Sequence, residues 1–253
     1  MEMENSIKQV ATPDDAIDQF VGEQFMEWLA HYFDQQVTNW SVLDMIAESK
    51  PKPEKIKKFI MQRFLAEQAF TGGIDNDPGF LGFAIANLSE SPEPEAEPAL
   101  EILNRKKNEE TGVNSQAMAD WIKLLHAVGF HDEEIKRLEP KEATRTYISE
   151  LSDVYSTAEW LTTVSAFYTH EKLAAMESEA ISTMLKNNLP ISDPDLHILA
   201  GTKADARQNT EIRHILEKSA VDQAGKELIF QGLKRQLDAR LDFYTALSKY
   251  LSE

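Results

Sequence analysis

The 253-residue chain carries 43 Asp and Glu against 26 Lys and Arg, a formal charge of −17 that repels nucleic acid and anionic membrane surfaces. The acids are spread along the chain rather than gathered in a tail, so they read as solvated helix faces and name no partner. With no cysteine, disulfides, thiolate nucleophiles and cysteine-ligated zinc or iron–sulfur sites are excluded.

The start, Met1-Glu2-Met3-Glu4-Asn5, is acidic where a signal peptide would be basic, and no apolar run approaches the roughly 18 residues of a membrane span, so a cytoplasmic protein is expected. Thr12-Pro13-Asp14-Asp15 is a helix start: a capping hydroxyl, proline at the first position and acids at the positive helix end. It leads into an aromatic-rich first helix with Phe20, Phe25, Trp28 and Phe33, a surface suited to a homodimer. Lys50-Pro51-Lys52-Pro53 breaks the path before a second long helix with Ile56, Phe59, Ile60, Phe64 and Leu65, which Gly72-Gly73 and Asp77-Pro78 end.

A shorter helix from about Phe80 to Ser89 runs into the connector Ser91-Pro92-Glu93-Pro94-Glu95-Ala96-Glu97-Pro98. Helices near 99–108, 115–128, 132–138 and 141–154 follow, with Gly112 and Gly129 as stops. The last three, about 156–188, 193–219 and 221–251, are long and joined by short turns, which makes them antiparallel neighbours. Helical periodicity dominates and β-branched alternation is absent, so the expectation is all-α: one up-and-down helical bundle over residues 1–253.

Inside that bundle, some carboxylates fall on apolar stripes. Read as one helix, 193–219 aligns Ile198, Gly201, Asp205, Ile212 and Leu216. Glu171 shares a face with Trp160, Val164, Phe167, Ala174 and Ala175, so a ligand or a basic neighbour is expected beside it. Glu67, within Phe64-Leu65-Ala66-Glu67-Gln68-Ala69-Phe70, is a second acid able to face the same cavity. His170 points elsewhere on the wheel and is expected at the surface or boundary. Glu211-Ile212-Arg213-His214 has the Glu-x-x-His spacing of di-iron bundles, but those sites need two copies and one is present.

The phrase Phe83-Ala84-Ile85-Ala86-Asn87-Leu88-Ser89-Glu90 with the acidic connector after it, together with Gly232 and Asp242-Phe243-Tyr244, resembles the heme-oxygenase-like superfamily. The branch it is most similar to holds the relatives of the chlamydial death-domain-associating protein, among them non-heme di-iron oxidases and oxygenases. That resemblance implies a heme-oxygenase-like bundle, a homodimer, and an iron or manganese site oxidising a small amino or fatty acid. Carried over by position, the metal ligands fall on Glu90, Glu97 (Glu101 if the connector holds an insertion), Glu171 and Asp205, with Glu67, Gly201 and Gln208 lining the pocket. Every histidine of the family pattern is replaced here. Two neighbouring oxygen-activating irons use mixed imidazole and carboxylate ligands, so an all-carboxylate set suits manganese, magnesium or calcium, or no metal. The alternative is a non-catalytic scaffold that binds a protein partner or a small ligand, with its pocket acids neutralised by Lys or Arg.

Overall fold

A computed structural model of the chain describes residues 12–72, 78–111, 116–199 and 203–252, without the side chains of residues 111, 116 and 203–205. Among the described residues there is no strand, and the architecture is an all-α, heme-oxygenase-like helical fold. No helix in them is long and apolar enough to cross a membrane.

Thr12 caps the first helix, α1 (Pro13–Gln19), its hydroxyl accepting from the Asp15 amide at 3.2 Å. The helix stops there, because Phe20 is extended and Gly22 turns at φ +54°, a left-handed conformation that a β-carbon resists. The ammonium of buried Lys226 donates to the carbonyls of Ile17 and Phe20, satisfying the end of α1. The single aromatic helix expected from the sequence is therefore broken into α1, α2 (Gly22–Thr38) and α3 (Ser41–Glu48). Its aromatic side chains Phe25, Trp28 and Phe33 are buried within the chain. Trp28 and Tyr32 lie 5.8 and 5.2 Å, ring centre to ring centre, from Phe230.

Pro53 takes the first position of α4 (Pro53–Thr71), as the Lys-Pro-Lys-Pro break predicts. Then come α5 (Gly79–Ser89), a 3₁₀ turn (Pro94–Ala96) and α6 (Glu97–Thr111), so the acidic connector is a tight corner rather than a linker. After α7 (Gln116–Ala127), α8 (Asp132–Ile135) is a single turn, and α9 (Glu142–Thr157) leads to the long central α10 (Trp160–Asn188).

The stretch read as one helix from 193 to 219 is two elements. Asp193–Leu199 winds as a 3₁₀ helix, and α11 begins at Lys203. A 3₁₀ segment advances three residues per turn, so its side chains do not keep phase with an α-helix, and Ile198 does not continue the Ile212–Leu216 stripe. Gly201 lies outside the described residues, as does the side chain of Asp205.

The last helix, α12 (Gln223–Ser252), packs along α10, with α9 against α12 and α3 and α11 against α10. Gly232 sets how closely they approach. A β-carbon there would collide with the carbonyl oxygen of Thr162 and come within 2.9 Å of the Ser165 side chain. On this frame α4, α6, α7, α10, the 3₁₀ segment and the start of α11 enclose a cavity at one side of the bundle.

Candidate functional site

The cavity measures about 560 Å³, room for a ligand of modest size. Its aromatic walls are Phe70 from α4 and Trp121 from α7, and α10 supplies His170, Glu171, Ala174 and Ala175. Arg63 and Glu67 enter from α4, Lys106 and Glu109 from α6, and Asn209 from α11.

Every acid on this surface for which a close contact is described has a polar or cationic group against it. Lys106, 95% buried, places its ammonium 3.3 Å from Glu171 and 3.1 Å from Glu110. Arg63 donates to Glu67 at 2.5 Å, one helical turn away. For Glu67, burial works to raise the carboxyl's pKa, but the attraction of Arg63 and then of Arg240 prevails and leaves it below the ordinary range. Asp120 lies 2.8 Å from the Lys123 ammonium and 3.0 Å from His197 Nδ1. The nitrogen of buried Gln208 donates to Glu109 at 2.7 Å.

Behind the cavity floor, the network continues into the core. Glu177 and Arg240 are both inaccessible to solvent, and Arg240 Nε donates to Glu177 Oε1 at 2.7 Å. The Tyr244 hydroxyl donates to the other carboxylate oxygen at 2.9 Å, and Arg63 approaches that same oxygen at 3.8 Å. Arg240 also donates to the Tyr147 hydroxyl. Two guanidinium groups, Arg63 and Arg240, and two carboxylates, the buried Glu177 and the partly exposed Glu67, thus form a charge-balanced quartet, which is how the three buried charges are tolerated.

His170 is 2% exposed and lines the cavity, which corrects its expected place at the surface. Its ring stacks on Phe70 at 3.7 Å, only 4° from parallel, and Nδ1 lies 3.5 Å from Arg240. Guanidinium only donates, so Nδ1 is an acceptor and the ring is a neutral imidazole with its proton on Nε2. Burial is the largest cause of its pKa falling well below 6.5, and Arg240, Arg63 and Lys106 push the same way. At pH values below 6.5 the unfolded chain therefore binds a proton that the folded chain refuses. Stability falls with acidification, with a slope approaching about 1.4 kcal/mol per pH unit. Chemical denaturation of His170→Phe from pH 7.5 to 5.5 should show a flatter pH dependence than the parent; an unchanged slope would place the titration elsewhere. Glu67 contributes in the same direction at lower pH, since its depressed carboxyl stabilises the fold above the ordinary carboxylate range and loses that effect as pH drops through its folded value.

The acids singled out from the sequence separate into two groups. Glu67 and Glu171 line the cavity, and Glu171 has the basic neighbour its apolar face calls for. Glu90 caps the end of α5 and Glu97 opens α6, both exposed and neither on the cavity wall. Glu101, the other position for the second ligand, is exposed as well. Gln208 is buried beside Glu109 at the edge of the site. Glu211 faces away, bonded by Arg105 and, at 2.8 Å, by Arg207, so its spacing to His214 builds no metal pair. Arg63, Lys106, Glu177 and Arg240 were not anticipated.

Among the described residues no group of three or more His, Asp or Glu is arranged to hold a metal ion. The donor chemistry agrees: Glu67 is turned to Arg63, Glu171 to Lys106, His197 to Asp120, and His170 presents its lone pair to a guanidinium. These residues do not fit a di-iron or di-manganese centre.

The architecture and its lateral cavity define a heme-oxygenase-like helical protein. Residues 44–218 match the TENA/THI-4/PQQC family, and the chain belongs to it. The search of curated proteins found no match. Among solved structures, a domain of unknown function with a heme oxygenase-like fold from Shewanella denitrificans superposes with a TM-score of 0.66 at 15% identity, over 88% of this chain and 90% of its own. A CADD-like protein of unknown function from Nostoc punctiforme gives 0.65 at 15% identity, over 90% and 96%. A TenA homologue from P. horikoshii gives 0.59 at 14% identity, over 87% and 94%. At these identities the likeness is one of fold. It supports the resemblance read from residues 83–98 and from Gly232.

Proposed function

We propose that this member of the family is a small-molecule-binding protein whose cavity works without a metal centre. The supporting observation is the pairing of inward carboxylates with side-chain cations: Glu171 with Lys106, Glu67 with Arg63 and Glu177 with Arg240. A carboxylate with an ammonium or guanidinium against it binds a divalent cation only after that contact is broken, and for a buried pair the separation is costly. Metal-dependent oxidation, the activity the superfamily resemblance implies, is therefore the weaker reading. A thiolate nucleophile is absent from the sequence, so hydrolysis by that route has no residue to carry it. What remains is a ligand-sized hollow with two aromatic walls and a fixed, charge-balanced floor, suited to recognition.

Elemental analysis of the purified protein, paired with thermal melts in iron(II), manganese(II) and a chelator, tests this. Substoichiometric metal and superimposable melts are expected. Stoichiometric iron or manganese, with a melting temperature that the chelator lowers, would restore the oxidase reading.

A further inference from the structure

On the inner wall of the cavity, between α4 and α10, two side chains hold hydrogen-bond donors with no acceptor among the described residues. Arg63 is 4% exposed and commits Nη1 to Glu67, while its Nε–H is buried without a partner. Its Nη2 stands 3.8 Å from Glu177, beyond hydrogen-bond distance. In a planar guanidinium Nε–H and one N–H of Nη2 leave the same edge side by side, so both point toward a common acceptor. His170, 2% exposed, turns Nδ1 to Arg240 and therefore carries its proton on Nε2, for which no acceptor is present among these residues. The two donors share one wall: Arg63 stands against Glu177, Glu177 accepts from Arg240, and Arg240 reaches the His170 ring. Both side chains line the cavity. Buried donors in folded proteins are bonded in the great majority, so a cavity wall that keeps such groups free is one that a ligand oxygen completes.

Charge decides which oxygen. The cations of this wall are already matched: Arg63 lies against Glu67, Lys106 between Glu110 and Glu171, and Arg240 against Glu177. A ligand carboxylate would add a negative charge beside Glu67 and Glu171, whose side chains are only 18% and 7% exposed, with no cation of the wall left to meet it. A carbonyl oxygen brings lone pairs without a charge and without a donor of its own, which is what side-by-side N–H groups require. Aromatic faces border these donors. Phe70 stacks on the His170 ring, and the Trp121 ring centre lies 5.7 Å from the Arg63 guanidinium carbon, so the rest of the ligand meets flat apolar surfaces.

We propose that this wall, within the ligand-binding reading given above, is a subsite for a neutral aromatic carbonyl compound, its oxygen accepting from the free edge of Arg63 with His170 Nε2–H as the neighbouring donor. Acetophenone is the probe; ethylbenzene keeps its shape without the oxygen, and benzoate replaces the neutral group by an anion. Ligand-observed NMR titration of the full chain at pH 7 should show acetophenone bound at least about tenfold more tightly than benzoate. Arg63→Lys keeps a cation for Glu67 but has no Nε–H, and should weaken acetophenone about tenfold, the weight of a hydrogen bond from a charged group, while ethylbenzene stays within about twofold. His170→Phe keeps an aromatic ring beside Phe70 and should weaken acetophenone about threefold, again sparing ethylbenzene. Benzoate bound as tightly as acetophenone would overturn the subsite while leaving the cavity's binding role intact. So would an acetophenone affinity that Arg63→Lys leaves unmoved, or lowers only in step with ethylbenzene. Binding of none of the three compounds would overturn both. If Arg63→Lys fails to fold, His170→Phe and the comparison in the parent chain decide.

Discussion

Replacing Arg240 by methionine is expected to destabilise the protein by about 3–5 kcal/mol, the usual cost of removing one member of a buried charge pair. The substitution leaves Glu177 fully buried and takes a charged donor from each of two groups, Glu177 Oε1 and the Tyr147 hydroxyl. Tyr244 still donates to the carboxylate, and Arg63, at 3.8 Å and already bonded to Glu67, replaces little of what is lost. At roughly 2–4 °C per kcal/mol for a chain of this size, the melting point should fall by about 10 °C. The companion experiment separates charge from shape. Arg240→Met combined with Glu177→Leu removes both buried charges, and apolar replacement of a buried pair is commonly neutral or better. The double variant should therefore recover much of the loss; one no better than Arg240→Met alone would show that packing, not the orphaned carboxylate, dominates.

That pair also shows where sequence reading reaches and where it stops. The helical class, the Thr12 cap and the Pro53 start all rest on local chemistry, and each appears where local chemistry puts it. The family resemblance rested on a short phrase and two distant marks, and the fold bears it out. The inward-facing charges were harder. Glu177 sits on a stripe with Leu173, Ala180 and Ile181, and Arg240 on one with Leu237, Phe243, Tyr244 and Leu247, all buried. A charge at a core position of such a stripe is a signal, but pairing one on α10 with another 63 residues later requires the register of two helices, which periodicity does not supply. His170 was legible on the same grounds, three residues from both Phe167 and Leu173. Glu90 and Glu97 went the other way: their assignment followed family spacing, while the end of α5 at Ser89 and the corner before α6 turn both outward. Across 193–219, a 3₁₀ segment shifts the phase, and no count of residues at 100° per step reveals where that happens.

The second large effect is expected at the cavity wall. Phe70→Ala removes a ring that is 2% exposed, stacked on His170, face to face with Phe167 at 6.0 Å and edge-on to Phe80 and Tyr155 at 6.5 and 6.1 Å. Phe-to-Ala changes in cores cost about 3–5 kcal/mol, the sum of lost transfer energy and an unfilled hole. Here the new space opens onto an existing cavity, so water can enter and the vacuum part of the penalty is partly relieved. That places the loss toward the lower end, with His170 deprived of its stacking partner and more accessible to solvent. The chemical consequence distinguishes this from an ordinary core hole. With burial reduced, the leading cause of the low His170 pKa weakens, so an imidazole NMR titration should show His170 taking up a proton at higher pH in Phe70→Ala than in the parent. Phe70→Leu should restore much of the stability and a part of the shift. A His170 titration unmoved by Phe70→Ala would mean that the Arg240, Arg63 and Lys106 charges, and not desolvation, hold the imidazole neutral.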